Sequence, residues 1–234
     1  MKIAALLTGK GSSTLKNKNL LKINNKPILY YPCAEAKKIK DIDKFFVSSE
    51  DKKILDICNK YGYEKILRPK NLSKANSKHH DVILHSVKYM KNKNYHPDIL
   101  IILLANAPII SSKWIKDCLK ILRNNKKTTS VVPVILNNDH NPFRAKKISG
   151  NYLKNFYKTK KKISSNRQDL PNSYFLCHNF WVIRTKEIYK FKGEPPWNFM
   201  GKHVQPYIVK KSIDIHTIED LHLSKLIINN KSYL

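Results

Sequence analysis

With 234 residues, 41% of them hydrophobic, the chain is long enough to bury one sizeable core, or a core with a small arm. Its apolar runs, such as 99–105, are far too short to cross a bilayer, and the few apolar residues after Met1-Lys2 fall short of a signal peptide, so the cytoplasm is the expected location. The formal net charge of +28 is nearly all lysine, spread along the whole chain beside abundant Asn and Ile; that is a composition bias, which argues against a dedicated nucleic-acid binder while still favouring anionic ligands.

Residues 3–8 read as a buried strand opening into the polar loop Gly9-Lys10-Gly11-Ser12-Ser13. A helix is expected over 28–39, with Pro27 at its start, and a strand over 44–48. Residues 51–61 carry Ile54, Leu55, Ile57 and Cys58 on one helical side, and Gly62 fits the stop. A short strand over 65–67 precedes Arg68-Pro69, and Val82, Ile83, Val87 and Met90 share one face of a helix over 80–90. The most apolar strand, 98–104, ends in Ala105-Asn106-Ala107-Pro108; Ser112 caps a helix reaching Leu122, and 129–136 is a strand interrupted by Pro133. This alternation implies a mostly parallel sheet covered on both faces.

Residues 138–176 are polar, lysine-rich and weakly periodic, as befits a functional arm. A strand over 180–184 and extended pieces at 208–209 and 212–216 follow, then a helix over 217–228 that Thr217 and Asp220 open in capping-box fashion. No repeat or linker divides the chain, so 1–234 is expected to be one domain. Cys33, Cys58, Cys118 and Cys177 form no C-x-x-C pair and read as buried free thiols.

The loop after the first strand has small residues that let backbone N–H groups face phosphate, and lysines at 10, 16 and 18 to neutralise it. It is neither a P-loop nor G-x-G-x-x-G. It lies where α/β sheets bind ligands, at the carboxyl end of a strand. With Lys18-Asn19-Leu20 and Asn25-Lys26-Pro27-Ile28-Leu29 it resembles the opening of the CMP-sialic acid synthetases (acylneuraminate cytidylyltransferases) and the related CMP-KDO synthetases. Further segments match in the same order: Phe46-Val47-Ser48-Ser49-Glu50-Asp51, Leu67-Arg68-Pro69, Arg167-Gln168-Asp169-Leu170-Pro171 and Ile213-Asp214-Ile215-His216-Thr217-Ile218-Glu219-Asp220-Leu221.

The resemblance implies an α/β, three-layer Rossmann-like nucleotidyltransferase fold with a mostly parallel mixed sheet and an inserted dimerisation arm at 138–176. It implies transfer of CMP from CTP to the anomeric hydroxyl of an acidic 2-keto-3-deoxy sugar, with release of pyrophosphate, by a homodimer using Mg2+, or Mn2+ in its place. Lys18 and Asp214 are the implied catalytic residues. Thr8, Gly9, Lys10, Gly11, Ser12, Lys18, Asn19, Arg68, His79 and Asn106 are the implied nucleotide contacts. Arg144, Arg167, Gln168, His178 and Asn179 would meet the sugar acid, where a guanidinium suits a carboxylate.

Three positions depart from the family pattern. Gly9 stands where an arginine is usual, leaving Lys10 as the substitute, and Ala105-Asn106 replaces a glutamine-bearing turn. His216 replaces the second of two metal-binding aspartates, and magnesium prefers oxygen ligands. Either Asp214 acts with water and phosphates, or the site takes a softer metal, or His216 meets substrate. A different sugar acid or nucleotide, or a non-catalytic nucleotide- or nucleic-acid-binding relative, are the alternative readings.

Overall fold

The computed structural model describes residues 1–11, 15–74, 76–159 and 162–230. In chain order the strands and helices are β1 Ile3–Thr8, β2 Lys22–Ile23, β3 Lys26–Pro27, α1 Tyr30–Lys37, β4 Lys44–Ser49, α2 Lys52–Lys60, β5 Glu64–Leu67, α3 His79–Asn92, β6 Ile99–Leu104 and α4 Ser112–Asn124. Then follow β7 Ser130–Leu136, β8 Lys146–Ser149, β9 Tyr152–Asn155, β10 Tyr174–Leu176, β11 Phe180–Arg184, β12 Val204–Ile208 and α5 Ile218–Asn229.

The main sheet runs β10-β7-β11-β6-β1-β4-β5, with β12 joined to β7. β1, β4, β5 and β6 are mutually parallel; β11 enters antiparallel between β6 and β7. Strand β1 is wholly buried because both of its faces are covered, which is why it reads as a continuous apolar run. Side chains alternate between two cores. Ile3, Ala5 and Leu7 pack with Cys33 of α1, Cys58 of α2 and Ile115 of α4, while Ala4 and Leu6 pack with Ile83, Val87 and Met90 of α3. The result is the expected three-layer α/β arrangement around a mixed sheet. All four cysteines are buried and free.

Register places the site. Thr8 pairs with Ser48 on one side and Leu104 on the other, so β1, β4 and β6 end in line and three loops emerge together.

Several local expectations change. Ser111, not Ser112, caps α4 by accepting from the Lys113 N–H at 3.2 Å; the Ser112 N–H instead reaches the Glu35 carboxylate at 2.7 Å. Pro27 ends a two-residue bridge with Lys22–Ile23, and α1 begins later, at Tyr30. Pro133 does not interrupt β7. The antiparallel partner of β7 switches there from β11, opposite Val131, to β10, opposite Val134, so the missing N–H falls in the gap. Residues 212–216 form no strand; Ile215 is hooked to Asn106 instead. The capping box at α5 forms as expected between Thr217 and Asp220. Strands β8 and β9 make a separate hairpin, mostly exposed. Among the described residues no helix is long and apolar enough to cross a membrane.

Candidate functional site

A cavity of about 270 Å³ opens at the aligned strand ends, lined by Thr8, Gly9, Lys10, Lys18, Asn19, Arg68, His79 and Asn106 among others. Eight of the ten expected nucleotide contacts therefore share one wall or another of a single cavity. Gly11 stands just beyond, and Ser12 lies outside the described residues. Leu72, Lys74, Ser77, Val82 and Leu104 complete the lining. Lys74 and Ser77 escaped sequence reasoning, although they follow the Leu67-Arg68-Pro69 segment closely; Lys74 adds a third lysine to Lys10 and Lys18.

The loop is pinned to β4. The Gly9 N–H donates to the Ser48 carbonyl at 3.2 Å, and Gly11 N–H donates to Glu50 Oε1 at 2.9 Å. A Cβ at Gly11 would come within 2.8 Å of Asp51 Cβ, so only glycine lets the loop lie this close to the start of α2. A Cβ at Gly9 would sit 3.1 Å from Ala105 Cβ. The two departures from the family pattern at these positions thus meet in space.

Arg68 is 6% exposed and is directed inward. Its Nη2 donates to Ser48 O at 2.6 Å and to Gly9 O at 3.0 Å, and Nη1 lies 3.7 Å from Glu50 Oε2. Expected as a nucleotide contact, Arg68 chiefly braces the loop that would make such contacts. Asn19 is also buried; its Nδ2 donates to Lys10 O at 2.8 Å, while its Oδ1 has no partner among the described residues. Thr8 Oγ1 and His79 Nε2 are 2.9 Å apart. Burial, with Arg68, His178 and His80 nearby, pushes His79 down to about 4, so its ring is neutral at neutral pH.

On the opposite rim the backbone of Ile215 docks on Asn106: the Ile215 N–H donates to Asn106 O at 2.8 Å and Asn106 Nδ2 returns a bond to Ile215 O at 3.4 Å. This brings Asp214 and His216 to the strand ends. His216 Nε2 is 2.6 Å from Asp214 Oδ2, and Lys18 Nζ is 3.5 Å from His216 Nδ1. A ring donating from Nε2 and accepting at Nδ1 satisfies both neighbours. Burial lowers the Lys18 ammonium from its usual range, countered by Asp214 and Asp220, with Lys10 adding to the lowering. His178 Nδ1 lies 3.9 Å from Asp214 Oδ2, and its ring meets Trp181 and Trp197 edge-on. Burial lowers His178 as well, with Asp214 opposing and His216 reinforcing.

The other implied sugar contacts stand elsewhere. Asn179 is fully buried, donating to Ile109 O at 3.3 Å and accepting from the Phe180 N–H at 2.8 Å, so it supports β11 and presents nothing to a ligand. Arg144 is exposed beside a depression of about 550 Å³ formed with Phe143, Lys146 and Asn155 of the arm. Arg167 pairs with Asp139 at 2.8 Å on the surface, with Gln168 exposed next to it. None of these three lines the central cavity.

The structure is an α/β protein with a mixed sheet, whose parallel strands β1, β4 and β6 end at a cation-lined cavity, the place where such sheets take ligands. A family model described as cytidylyltransferase matches residues 9–233, and the chain belongs to that family of nucleotidyltransferases. It is 24% identical over 232 residues to a pseudaminic acid cytidylyltransferase of Campylobacter jejuni subsp. jejuni serotype O:2, covering 95% of this chain and 94% of that protein. It is 29% identical over 130 residues to a Helicobacter pylori pseudaminic acid cytidylyltransferase that is also a UDP-2,4-diacetamido-2,4,6-trideoxy-beta-L-altropyranose hydrolase; the match spans 55% of this chain and 25% of that longer protein. In fold it resembles a CMP:2-keto-3-deoxy-manno-octonic acid synthetase solved with CTP, at a TM-score of 0.72 and 14% identity, over 99% of this chain and 100% of that one.

Proposed function

We propose that the chain transfers CMP from CTP to the anomeric hydroxyl of an acidic 2-keto-3-deoxy sugar of the nonulosonic acid class, releasing pyrophosphate, in the cytoplasm where CTP is held. The observation that carries this reading is the meeting of two groups across the strand ends, the lysine loop and the Asp214–His216–His178 cluster, with Lys18 Nζ 3.5 Å from His216. Similarity along nearly the whole chain to a pseudaminic acid cytidylyltransferase supports the acid class.

In this reading the triphosphate lies along the loop from Gly9 to Gly11, with Lys10, Lys18 and Lys74 offsetting its charge. Catalysis is then positioning together with stabilisation of charge on the departing pyrophosphate. Among the described residues no three His, Cys, Asp or Glu side chains gather as a metal-ligand set. The donors on this rim still suit magnesium in its ordinary manner, one carboxylate with phosphate oxygens and water, and Asp214 is that carboxylate. A divalent ion held there would supply further positive charge to the phosphates. His216, already bonded to Asp214, then orients the carboxylate as an outer partner.

The experiment is pyrophosphate release from CTP against a panel of nonulosonic acids and KDO, with magnesium and manganese in parallel. Release with one acid supports the reading and identifies the acid. Silence across the panel, with CTP still bound, overturns it in favour of a divergent substrate or a non-catalytic relative.

The arm belongs to the same reading, as a contact with a second copy of the chain. Ile148 and Leu153 face each other across the β8–β9 hairpin and are 79% and 72% exposed, with Phe156 and Tyr157 exposed beyond them. Contiguous exposed apolar patches of this kind are where a partner chain packs. Light scattering at micromolar concentration is expected to give a dimer for the wild type and a monomer for Leu153→Asp. A wild-type monomer would remove the second copy from the site.

A further inference from the structure

Glu50 is an acid at the phosphate loop of a chain with only 17 acidic residues against 45 basic ones. It follows β4 directly, and its two oxygens reach two different segments that flank the cavity. Oε1 accepts from the Gly11 N–H at 2.9 Å, and Oε2 accepts from Ser73 Oγ at 2.9 Å. Gly11 belongs to the lysine loop. Ser73 ends the short helical turn Lys70–Ser73, whose Leu72 lines the cavity just ahead of Lys74 and Ser77. Arg68 stands behind both links, 3.7 Å from Oε2. Burial alone would raise the Glu50 carboxyl, but its hydrogen bonds to backbone and to Ser73, with the Arg68 charge, outweigh that and hold it below the usual range.

A free carboxylate this close to a triphosphate would repel it. Arg68 neutralises the charge, so what remains is geometry: a charge-assisted tie between loop and turn, stronger than bonds between neutral groups. We infer that Glu50 is a positioning residue for the nucleotide, tying the loop at Gly11 to the turn at Ser73 so that Lys10 and Lys74 face the ligand from walls already set apart at the right width. Holding the walls in place beforehand removes an ordering cost from binding. The inference rests on the cavity being the CTP site.

The test is CTP affinity by calorimetry for the wild type, Glu50→Gln, Glu50→Ala, Ser73→Ala and the double variant Glu50→Ala/Ser73→Ala, with a melting curve for each. Glu50→Ala is expected to raise the Kd about tenfold, with Ser73→Ala and Glu50→Gln each falling between it and the wild type. The double variant should bind no more weakly than Glu50→Ala, because both changes cut one tie. The KM for CTP should rise while kcat at saturation changes less, and the Gly11 amide should lose protection from hydrogen exchange in Glu50→Ala. A lowered melting temperature with an unmoved Kd, or fully additive losses, overturns the positioning role. A wild type that binds no CTP overturns the reading of the cavity itself, and the role with it.

Discussion

Lys18→Ala is expected to cut turnover by about 10²- to 10³-fold, the effect of removing one preorganised charge from a developing anion. Lys18 opens the short turn Lys18–Leu20, whose next residue, Asn19, is buried and tied to Lys10 O. The turn therefore cannot drift, and the ammonium is aimed between the loop and the Asp214–His216 pair. It stands partly out of water, and burial is the largest influence on it, so its field is poorly screened. Because the charge matters most as pyrophosphate leaves, the loss should fall mainly on kcat, with a smaller rise in the KM for CTP. The fold should be indifferent, since Lys18 supports no core cluster. Steady-state kinetics beside a melting curve decides the matter: retained turnover in a folded variant would take the loop out of the mechanism. Lys18→Arg should recover part of the rate, because the charge returns on a wider, planar group.

Most of the sheet and its helices were legible because their signals are local, whereas β10 lay inside the expected arm 138–176 and β12 was expected only at 208–209. A continuous apolar run such as Ile3–Thr8 or Ile99–Leu104 announces a strand covered on both faces, and α2 and α4 carry apolar residues at helical spacing. The two-residue strands β2 and β3 have no room for a period and were missed. Pro133 was misread because its tolerance depends on which strand pairs opposite, which one segment cannot reveal. The cavity was legible through the positions of Gly9, Arg68 and Asn106 after strand ends. Which way a side chain points was not. Arg68 and Asn179 carry the right chemistry for a ligand, yet their donors meet carbonyls 20, 59 and 70 positions away in sequence. The link between Asn106 and Ile215 spans 109 positions and helps bring Asp214 to the strand ends.

Arg68→Met tests the difference between gripping a nucleotide and bracing the loop beneath it. Methionine keeps much of the apolar stem but none of the donors. Ser48 O and Gly9 O lose hydrogen bonds of 2.6 and 3.0 Å in a buried setting, and Glu50 loses its cation. Removing one partner of a buried ion pair costs about 3–5 kcal/mol. The pair's separation of 3.7 Å and the partial exposure of Glu50 place the expected loss near the lower end, about 3 kcal/mol. For a chain of this size that is a fall of roughly 6–12 °C in melting temperature. A residue serving only the ligand would leave the melting temperature of the free protein unchanged and raise the KM alone, so the two roles separate in one experiment. Arg68→Lys should recover only a fraction, because one ammonium cannot serve Ser48 and Gly9 together and still face Glu50. The pH dependence gives a second check. Glu50, held below its usual range, contributes stability that is present above the ordinary carboxyl pKa and is lost as pH falls through the lowered value. Without Arg68 that lowering shrinks, so Glu50 should take up its proton at higher pH, and the variant's stability should depend less on pH across the window between the two values.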